Sequence, residues 1–456
     1  MVLSDCYSWA NDIFGSAELG DLRRTRRLVT LASSLAQHTG LSIVKSSRSP
    51  ADVEGAYRLM RNPAVLPDAI ADSGFAATVR AAAEHSLLLA LEDTTTLNFG
   101  HRSAADELGN IGTSKHTHGL MAHSVLLYAP DSARVVGLID QQRWCRATAD
   151  YGKKHQRKQR LYEEKESYKW QKASEHMAQR LGEIQSRVIS VCDREADIWH
   201  YLDYKLSRGQ RFVVRAAQNR LLSEAPGRLF SLPEQLTEAG SHTLNVVQKG
   251  GRAARQAQMF ISYSDVQLKK STGEAPLSLT YICCREADPE GACWHLLTSE
   301  KVENTEQARA IVGYYERRWL IEEYHKAWKS GGAQVEQLRM QTRDNLERMV
   351  TMLAFVAVRV LALRQGGVSE ETQNESCESV LSAVEWKLLW VKQEGKALPE
   401  SPPTLKWACL SLAKLGRWYD SKRTGRPGWI VIWDGRFRLQ EMVEGYRLAM
   451  SLDQEI

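Results

Sequence analysis

Two stretches of the chain combine an apolar run with an acidic side chain directly after it. Residues 87–91 read Leu-Leu-Leu-Ala-Leu and precede Glu92 and Asp93, and residues 188–192 read Val-Ile-Ser-Val-Cys and precede Asp193. A continuous apolar run of this length is typical of a strand that is buried on both faces. Open α/β sheets bind ligands just beyond the carboxyl ends of such strands. We therefore predict that Asp93 and Asp193 meet at one edge of a sheet.

A third acidic side chain lies in a segment with helical periodicity, between about residues 304 and 364. The side chains of interest there are Tyr315, Arg318, Glu322 and Lys329. Their separations of three, four and seven residues place them on one face of a helix. Carboxylate oxygens hold the divalent cations that promote phosphoryl transfer, and Arg and Lys side chains can hold phosphates beside them. The pattern predicts a site for metal-dependent cleavage or transfer of a phosphodiester.

Each of these acids also has an ordinary structural interpretation. An aspartate after a strand often caps a helix. Glu322 could form an ion pair with Arg318 or Lys326 across one helical turn. Glu323 adjoins Glu322, and only the helical register favours Glu322 as the functional acid. The metal-site interpretation therefore depends on the convergence of all three acids.

The elements that must position these residues indicate a mixed α/β protein in three parts. We predict a helical domain at residues 1–70, a catalytic domain at 71–365 and a helical domain at 366–456. Within the second, residues 220–300 alternate polar and apolar side chains between Pro and Gly, which predicts a small antiparallel insertion. Further strands of the catalytic sheet are predicted at 123–128, 135–139 and 212–215.

Composition excludes several classes of protein. The 456 residues are 43% hydrophobic and 25% charged, which is typical of a globular chain with more than one domain. The longest apolar run, 349–358, is too short to span a bilayer, so we predict a buried helix and no membrane association. No secretion signal begins the chain, and eight cysteines without a CxxC pair favour reduced, cytoplasmic thiols over disulfides or structural zinc.

Positive charge is concentrated locally, since the formal net charge is only +5. Residues 22–28 place four arginines at the predicted start of a helix, either as phosphate contacts or as a solvated face. Residues 143–160 carry seven Lys or Arg against one acid. We hypothesise that this second segment touches DNA, and any nucleic-acid footprint must be local. We expect no small-molecule substrate.

Taken together, the motifs resemble those of the bacterial cut-and-paste DDE transposases, in particular the insertion-sequence-four family. Residues 193–197, Asp-Arg-Glu-Ala-Asp, and the Tyr-x2-Arg-x3-Glu-x6-Lys pattern from 315 to 329 are similar to the two signature motifs of that family. Motifs of this length seldom agree by accident at so many places. The likeness covers nearly the whole chain and includes residues 19–25, 92–95, 294–300, 344–350 and 420–425.

The resemblance implies a ribonuclease-H-like catalytic core with a β insertion between the second aspartate and the glutamate, flanked by helical domains. It implies that Asp93, Asp193 and Glu322 bind Mg²⁺, for which Mn²⁺ can substitute. The implied reactions are hydrolytic nicking, hairpin formation and opening, and strand transfer. The implied partners are transposon-end DNA, target DNA and a second copy of the chain, in a bacterial cytoplasm and associated with the nucleoid.

Residues that contact DNA are also implied by the resemblance. Side chains of the signature helix would hold phosphates near the scissile bond, and N-terminal arginines would contact the transposon end. Trp294 aligns with a tryptophan on which a flipped base stacks, an interaction of about 1–3 kcal/mol. Helices from about residue 405 resemble the segment through which two protomers pair. The expected DNA contacts are Arg23, Arg24, Arg27, Trp294, Tyr315, Arg318, Lys326 and Lys329.

Two alternative functions stay open at this point. A ribonuclease-H-type nuclease would share the three acids but would not join DNA strands. A transposase-derived repressor would bind DNA without catalysis, although the intact set of acids disfavours it. The sequence to be recognised depends on side-chain placement in a groove, which composition does not supply.

Overall fold

The chain folds around a mixed β-sheet with helices against both of its faces. The computed structural model describes residues 5–100, 104, 107–112, 117–146, 160–223, 227–246, 255–270, 273, 275–288, 290–368, 370–421 and 427–452. The strands are β1 (Leu88–Asn98), β2 (Gly109–Asn110), β3 (His118–Ala129), β4 (Arg134–Trp144), β5 (Val188–Cys192), β6 (Arg211–Arg215), β7 (Leu221–Leu222), β8 (Gly240–Val246), β9 (Arg255–Lys269), β10 (Leu277–Glu286) and β11 (Cys293–Thr298). The helices are α1 (Cys6–Phe14), α2 (Leu22–Gln37), α3 (Ile43–Ser46), α4 (Pro50–Arg61), α5 (Pro67–Ala82), α6 (Lys169–Leu181), α7 (Trp199–Ser207), α8 (Thr305–Arg317), α9 (Trp319–Lys326), α10 (Arg343–Val368), α11 (Ala383–Glu394), α12 (Leu405–Leu415) and α13 (Trp429–Leu452).

In the described part of the chain, the sheet has 11 strands in the order β2-β3-β1-β5-β6-β11-β10-β9-β7, with β4 beside β3 and β8 beside β9. β1, β3 and β4 pair antiparallel, and β5 and β6 extend the sheet in parallel with β1. The predicted mixed α/β class is therefore confirmed. The strands of the predicted insertion are present and antiparallel, but they continue the central sheet through the pairing of β11 with β6.

The two predicted acid-bearing strands lie at the centre of this sheet. β5 pairs with β1 in parallel, with Leu88–Leu91 opposite Val188–Val191. Side chains alternate between two faces, so Leu89 and Ile189 enter one hydrophobic cluster while Leu88 and Val188 enter another on the opposite face. This double burial explains why both segments are continuously apolar in the sequence.

The N-terminal helices share a core with the sheet through α10. Trp9, Leu28 and Phe355 belong to one buried cluster that also contains side chains of β1 and β5. Two buried arginines of α10 extend the contact: Arg348 donates to the carbonyl of Val65 at 2.5 Å, and Arg359 donates to that of Ala36 at 3.3 Å. The predicted buried helix at 349–358 lies within α10. Among the described residues, no helix is both long and apolar enough to cross a membrane.

Candidate active site

Asp93 does not end a strand, contrary to the prediction. β1 continues through Asn98 because the long strand β3 pairs with it over its whole length, and Asp93 lies opposite Ser124. The pairing of β1 with β5, however, stops at Leu91 and Val191. Asp93 therefore lies just beyond the last paired residues of β1 and β5, where the two strands separate. A ligand can be bound there as it can beyond the end of a strand.

Asp193 directly follows β5, as predicted. It also caps a short 3₁₀ turn at Arg194–Ala196, where its Oδ1 accepts a hydrogen bond from the backbone N–H of Glu195 at 2.8 Å. Asp93 accepts a similar bond from the N–H of Thr94 at 2.8 Å. Capping does not exclude metal binding, because in each aspartate one carboxylate oxygen accepts the backbone hydrogen bond and the other oxygen stays available as a ligand.

Glu322 lies near Asp93, and Arg318 contacts both side chains. The chain passes from α8 to α9 at Arg318, whose N–H bonds to the carbonyl of Tyr315 at 3.1 Å in a tightened turn. The Arg318 guanidinium donates to Glu322 Oε1 at 2.6 Å and lies 4.0 Å from Asp93 Oδ2. A single arginine therefore contacts two of the three predicted acids.

Electrostatic effects connect all three acids. Burial raises the pKa of Asp93 from 3.8 to about 6; the charge of Arg318 opposes this shift, and the negative charges of Asp193 and Glu322 add to it. Burial also raises the pKa of Asp193, against the N–H of Glu195 and the charge of Arg318. Mutual repulsion in a partly buried place requires a compensating cation. Arg318 supplies one, and a divalent metal would supply a stronger one.

Glu322 and Glu323 have different partners. Glu323 forms ion pairs with Lys326 at 2.7 Å and with Arg364 of α10. Lys326 also lies 5.0 Å from the Trp319 ring centroid. Lys326 thus pairs with Glu323 and not with Glu322. Glu322 instead pairs with Arg318 at 2.6 Å, and its choice as the functional acid stays a prediction.

The other predicted DNA contacts are connected to Arg318 or to β1. Tyr315 is buried, and its ring meets that of Trp294 edge to face at 5.1 Å. Arg318 lies 6.0 Å from the Tyr315 ring centroid. Lys329 lies in a π turn, Ala327–Gly331, and its Nζ is 3.5 Å from Thr95 Oγ1, two residues beyond Asp93 on β1. Trp294 therefore approaches Arg318 through Tyr315, and Lys329 lies beside the strand that carries Asp93.

His325 is a site residue that the sequence reasoning missed. Its Nδ1 lies 3.9 Å from Asp93 Oδ2, and its side chain is buried. Burial, together with the charges of Lys329 and Arg318, lowers the pKa of His325 to about 3, so the ring is neutral near pH 7. Its position, three residues after Glu322 and seven after Arg318, is the signal that could have identified it.

A groove of about 610 Å³ is lined by Thr95, which lies two residues after Asp93 on β1, and by Lys169 and Arg146. Lys169 pairs with Glu195 at 3.0 Å, and Arg146 pairs with Glu166 at 2.6 Å. Burial raises the pKa of Asp193, and the charge of Lys169 opposes that rise. Lys169, which the sequence pattern did not predict, therefore lies near the candidate site.

The basic segment 143–160 is only partly described. The side chain of Arg143 is 4% exposed and donates to Gln141 at 3.2 Å, and burial lowers its pKa. This burial removes Arg143 from the predicted DNA-contacting segment. Lys153, Lys154, Arg157 and Lys158, on which the hypothesis mainly depends, lie outside the described residues.

The predicted N-terminal contacts lie on α2, which Asp21 caps. Arg23 is 88% exposed and pairs with Asp21 at 2.9 Å. Arg24 donates to the carbonyl of Leu19 at 2.8 Å, and Arg27 pairs with Asp52 of α4 at 2.9 Å. Arg24 and Arg27 thus help to fix the helix, while Arg23 extends into solvent. Arg26, in the same arginine cluster, is also exposed.

The last aspartate of the motif 193–197 has a structural function. Asp197 is buried, accepts hydrogen bonds from the N–H groups of Ala217 and Gln218 at 2.7 and 2.8 Å, and pairs with the buried Arg220. Breaking a buried ion pair on one side costs about 3–5 kcal/mol. We expect Asp197→Ala to lower the free energy of unfolding by about that amount, measured by urea denaturation. The matched variant Asp193→Ala should cost much less, and equal losses would contradict this assignment.

Comparison with known proteins adds one match in the N-terminal region. Residues 7–65 match the family model of a transposase DNA-binding domain. This segment contains α1 to α4 and the α2 arginines. Among solved structures, the chain is similar to a cryo-EM structure of a piggyBac transposase synaptic complex with hairpin DNA, at a TM-score of 0.39 and 10% sequence identity. That alignment covers 81% of this chain and 77% of that chain.

Proposed function

We propose that the chain is a metal-dependent DNA transposase of the cut-and-paste type, with Asp93, Asp193 and Glu322 as its catalytic acids. The observation that carries the proposal is the grouping of these acids around Arg318 at the opening between β1 and β5. The N-terminal match to a transposase DNA-binding domain supports the same class.

The strand arrangement supports a ribonuclease-H-like core. The four antiparallel strands β1 to β4 come first in the chain, and β5 and β6 then extend the sheet in parallel on the other side of β1. Asp93 lies on β1, Asp193 directly follows the adjacent strand β5, and the glutamate comes from a helix after the antiparallel strands. This order is the one that the resemblance to DDE transposases implies.

The donor set fits Mg²⁺, or Mn²⁺ in its place. Three carboxylates supply hard oxygen ligands, and the raised pKa of Asp93 shows a partly buried acid that lacks sufficient positive charge. The bound metal would activate the attacking oxygen and neutralise charge at phosphorus. Arg318 would exchange Glu322 for a phosphate oxygen, and Lys329 would hold a second phosphate beside β1.

We further propose that two copies of the chain hold two transposon ends. Cut-and-paste transfer requires both ends in one complex, and the resemblance assigns pairing to the C-terminal helices. On α13, Tyr446, Leu448, Met450 and Leu452 are exposed. Large apolar side chains on one exposed helix are typical of a protein interface. The α2 arginines would contact the transposon end in each copy.

The proposal is tested with duplex DNA that carries the inverted repeats flanking the gene for this chain. Incubation with Mg²⁺ should yield nicked, hairpin and joined products, separated on a denaturing gel. A matched duplex with scrambled repeats is the control and should stay intact. Absence of every product, with the repeats bound and Mg²⁺ or Mn²⁺ present, would overturn the proposal.

The two alternatives give different products in the same assay. A nuclease without strand transfer would nick the repeats but would not join precut ends to a target plasmid. A repressor would bind the repeats and leave them uncut, and its binding would tolerate Asp193→Ala. The grouping of Asp93, Asp193 and Glu322 near Arg318 favours an enzyme, because DNA binding alone gains nothing from three negative charges in one place.

Trp294 provides a prediction about the hairpin step. Its ring is half-buried against Tyr315, whose ring centroid lies 6.0 Å from the Arg318 guanidinium. Loss of base stacking in Trp294→Ala should remove about 1–3 kcal/mol, which slows hairpin formation by roughly five- to 150-fold. First-strand nicking should change little, because it needs no flipped base. Trp294→Phe keeps an aromatic face and should retain most of the yield; equal losses in both variants would count against stacking.

A further inference from the structure

A cluster of potential metal ligands lies near Trp294 but on the other face of its strand. Cys293 and His295 flank Trp294 on β11, and side chains alternate between the faces of a strand. The antiparallel pairing of β10 places Cys283 opposite His295. Within the described residues, the ligand atoms of Cys283, Cys293 and His295 all lie within 4.8 Å of one another. This cluster is separate from the three acids.

The distances suit a tetrahedral transition metal. Ligands at Zn–S of about 2.3 Å and Zn–N of about 2.0 Å lie roughly 3.5–3.8 Å apart around one tetrahedral ion. Cys293 Sγ and His295 Nε2 are 3.4 Å apart. Only a small shift of the Cys283 side chain would then be needed for all three atoms to bind one ion.

His295 is oriented for coordination through Nε2. Its Nδ1 lies 2.6 Å from the Tyr281 hydroxyl, and its ring stacks on Phe230 at 4.3 Å between centroids. A metal-binding histidine usually donates its other ring N–H to a fixed partner, which sets the tautomer and the ring plane. Here Tyr281 can accept the proton of Nδ1, so the lone pair of Nε2 points toward Cys293.

The two thiols lie on neighbouring strands beside a cation. Cys283 is paired across the strands with His295, and Cys293 lies two residues before His295 on β11. A metal would displace the thiol protons and bind two thiolates. Arg215 donates a hydrogen bond to the carbonyl of Cys293 at 2.9 Å, and its positive charge reduces the cost of the negative charge there.

We propose that Cys283, Cys293 and His295 form a binding site for a soft transition metal, with Zn²⁺ as the fitting ion. Cys293 and His295 are half-exposed, so the fourth coordination position faces solvent. Thiolate and imidazole ligands select Zn²⁺ over Mg²⁺. The site joins β10 to β11 near their connecting turn and so fixes the strand that carries Trp294. It stands independently of the proposed transposase activity.

The full-length protein, reduced and freed of metal with a chelator, is titrated with Co²⁺ as the probe. One equivalent should release at least one proton and produce a thiolate-to-cobalt charge-transfer band, and Zn²⁺ should then displace the cobalt and remove the band. Co²⁺ at the three acids gives no such band, since it has only oxygen ligands there. Zn²⁺ should also slow amide hydrogen exchange in residues 283–295.

Variants identify the ligands. Cys293→Ser and His295→Gln change half-exposed side chains, and each should abolish or strongly weaken the band. Cys145→Ser removes another half-exposed thiol and should keep it, as should Asp193→Asn. Absence of the thiolate-to-cobalt band in the wild-type protein, with both thiols shown to be reduced, would overturn the proposal. So would a band of full intensity in Cys293→Ser.

Discussion

Glu322→Gln is expected to abolish cleavage of end-bearing DNA while binding of that DNA persists. The carboxamide keeps the shape of the side chain but removes one of three negatively charged metal ligands. If metal coordination supplies several kcal/mol of transition-state stabilisation, its loss slows nicking by roughly a thousandfold. Gel-shift titration measures binding, and single-turnover nicking in Mg²⁺ measures the chemical step.

Glu323→Gln is the matched control for this experiment. Glu323 adjoins Glu322 on α9, but it pairs with Lys326 and with Arg364 of α10. Its replacement should lower stability modestly and leave nicking close to the wild-type rate. Loss of nicking in Glu323→Gln, with Glu322→Gln active and folded, would reverse the assignment of the catalytic glutamate.

Much of the core could be predicted because its physical causes are local. The apolar runs that become Leu88–Leu91 of β1 and the strand β5 needed burial on both faces, and a central strand provides it. The alternating segments that become β8 to β11 indicated antiparallel strands, because alternation is typical of a strand that is buried on one face only. Whether those strands would form a separate sheet depended on the pairing of β11 with β6, a long-range contact without a local pattern.

The details of the site depend on such long-range contacts. The extension of β1 past Asp93 follows from the length of β3, which periodicity alone did not predict. Helical spacing placed Glu322 beside Arg318, but the turn at Arg318 and the separate pairing of Glu323 required the position of α10. Arg143 seemed a surface cation by its neighbours in sequence, yet the fold buries it.

The cysteine cluster was missed for a related reason. Zinc sites are recognised in sequence by closely spaced pairs, and Cys283 and Cys293 are separated by a turn between antiparallel strands. The cross-strand register, and not the spacing, brings them together with His295. His325 differs, because its helical spacing from Glu322 was visible in the sequence. Its proximity to the acids became evident only from the position of Asp93, 3.9 Å away.

The raised pKa of Asp93 sets the direction of the pH dependence. An acid with a folded-state pKa of about 6, above its ordinary value of 3.8, binds protons more tightly in the folded protein than in the unfolded chain. The metal-free protein therefore loses stability from this group as pH rises from about 4 to 6, and the full cost is present above that range. Metal binding needs the deprotonated carboxylate, so the affinity for metal changes in the opposite direction.

We expect the affinity for Mn²⁺ to fall roughly tenfold from pH 7 to pH 5, because one proton must leave Asp93 before the metal binds. The raised pKa of Asp193 strengthens this trend, whereas His325 stays neutral over the range because its pKa is about 3. Calorimetric titration at four pH values measures the effect. Asp93→Asn should weaken Mn²⁺ binding and flatten its pH dependence. In the metal-free protein, this variant should be more stable than the wild type, and the difference should be larger at pH 7 than at pH 5. If the wild type bound Mn²⁺ equally at both pH values, the acids could not include a group that titrates near 6, and Asp93 would have to be exposed and already ionised.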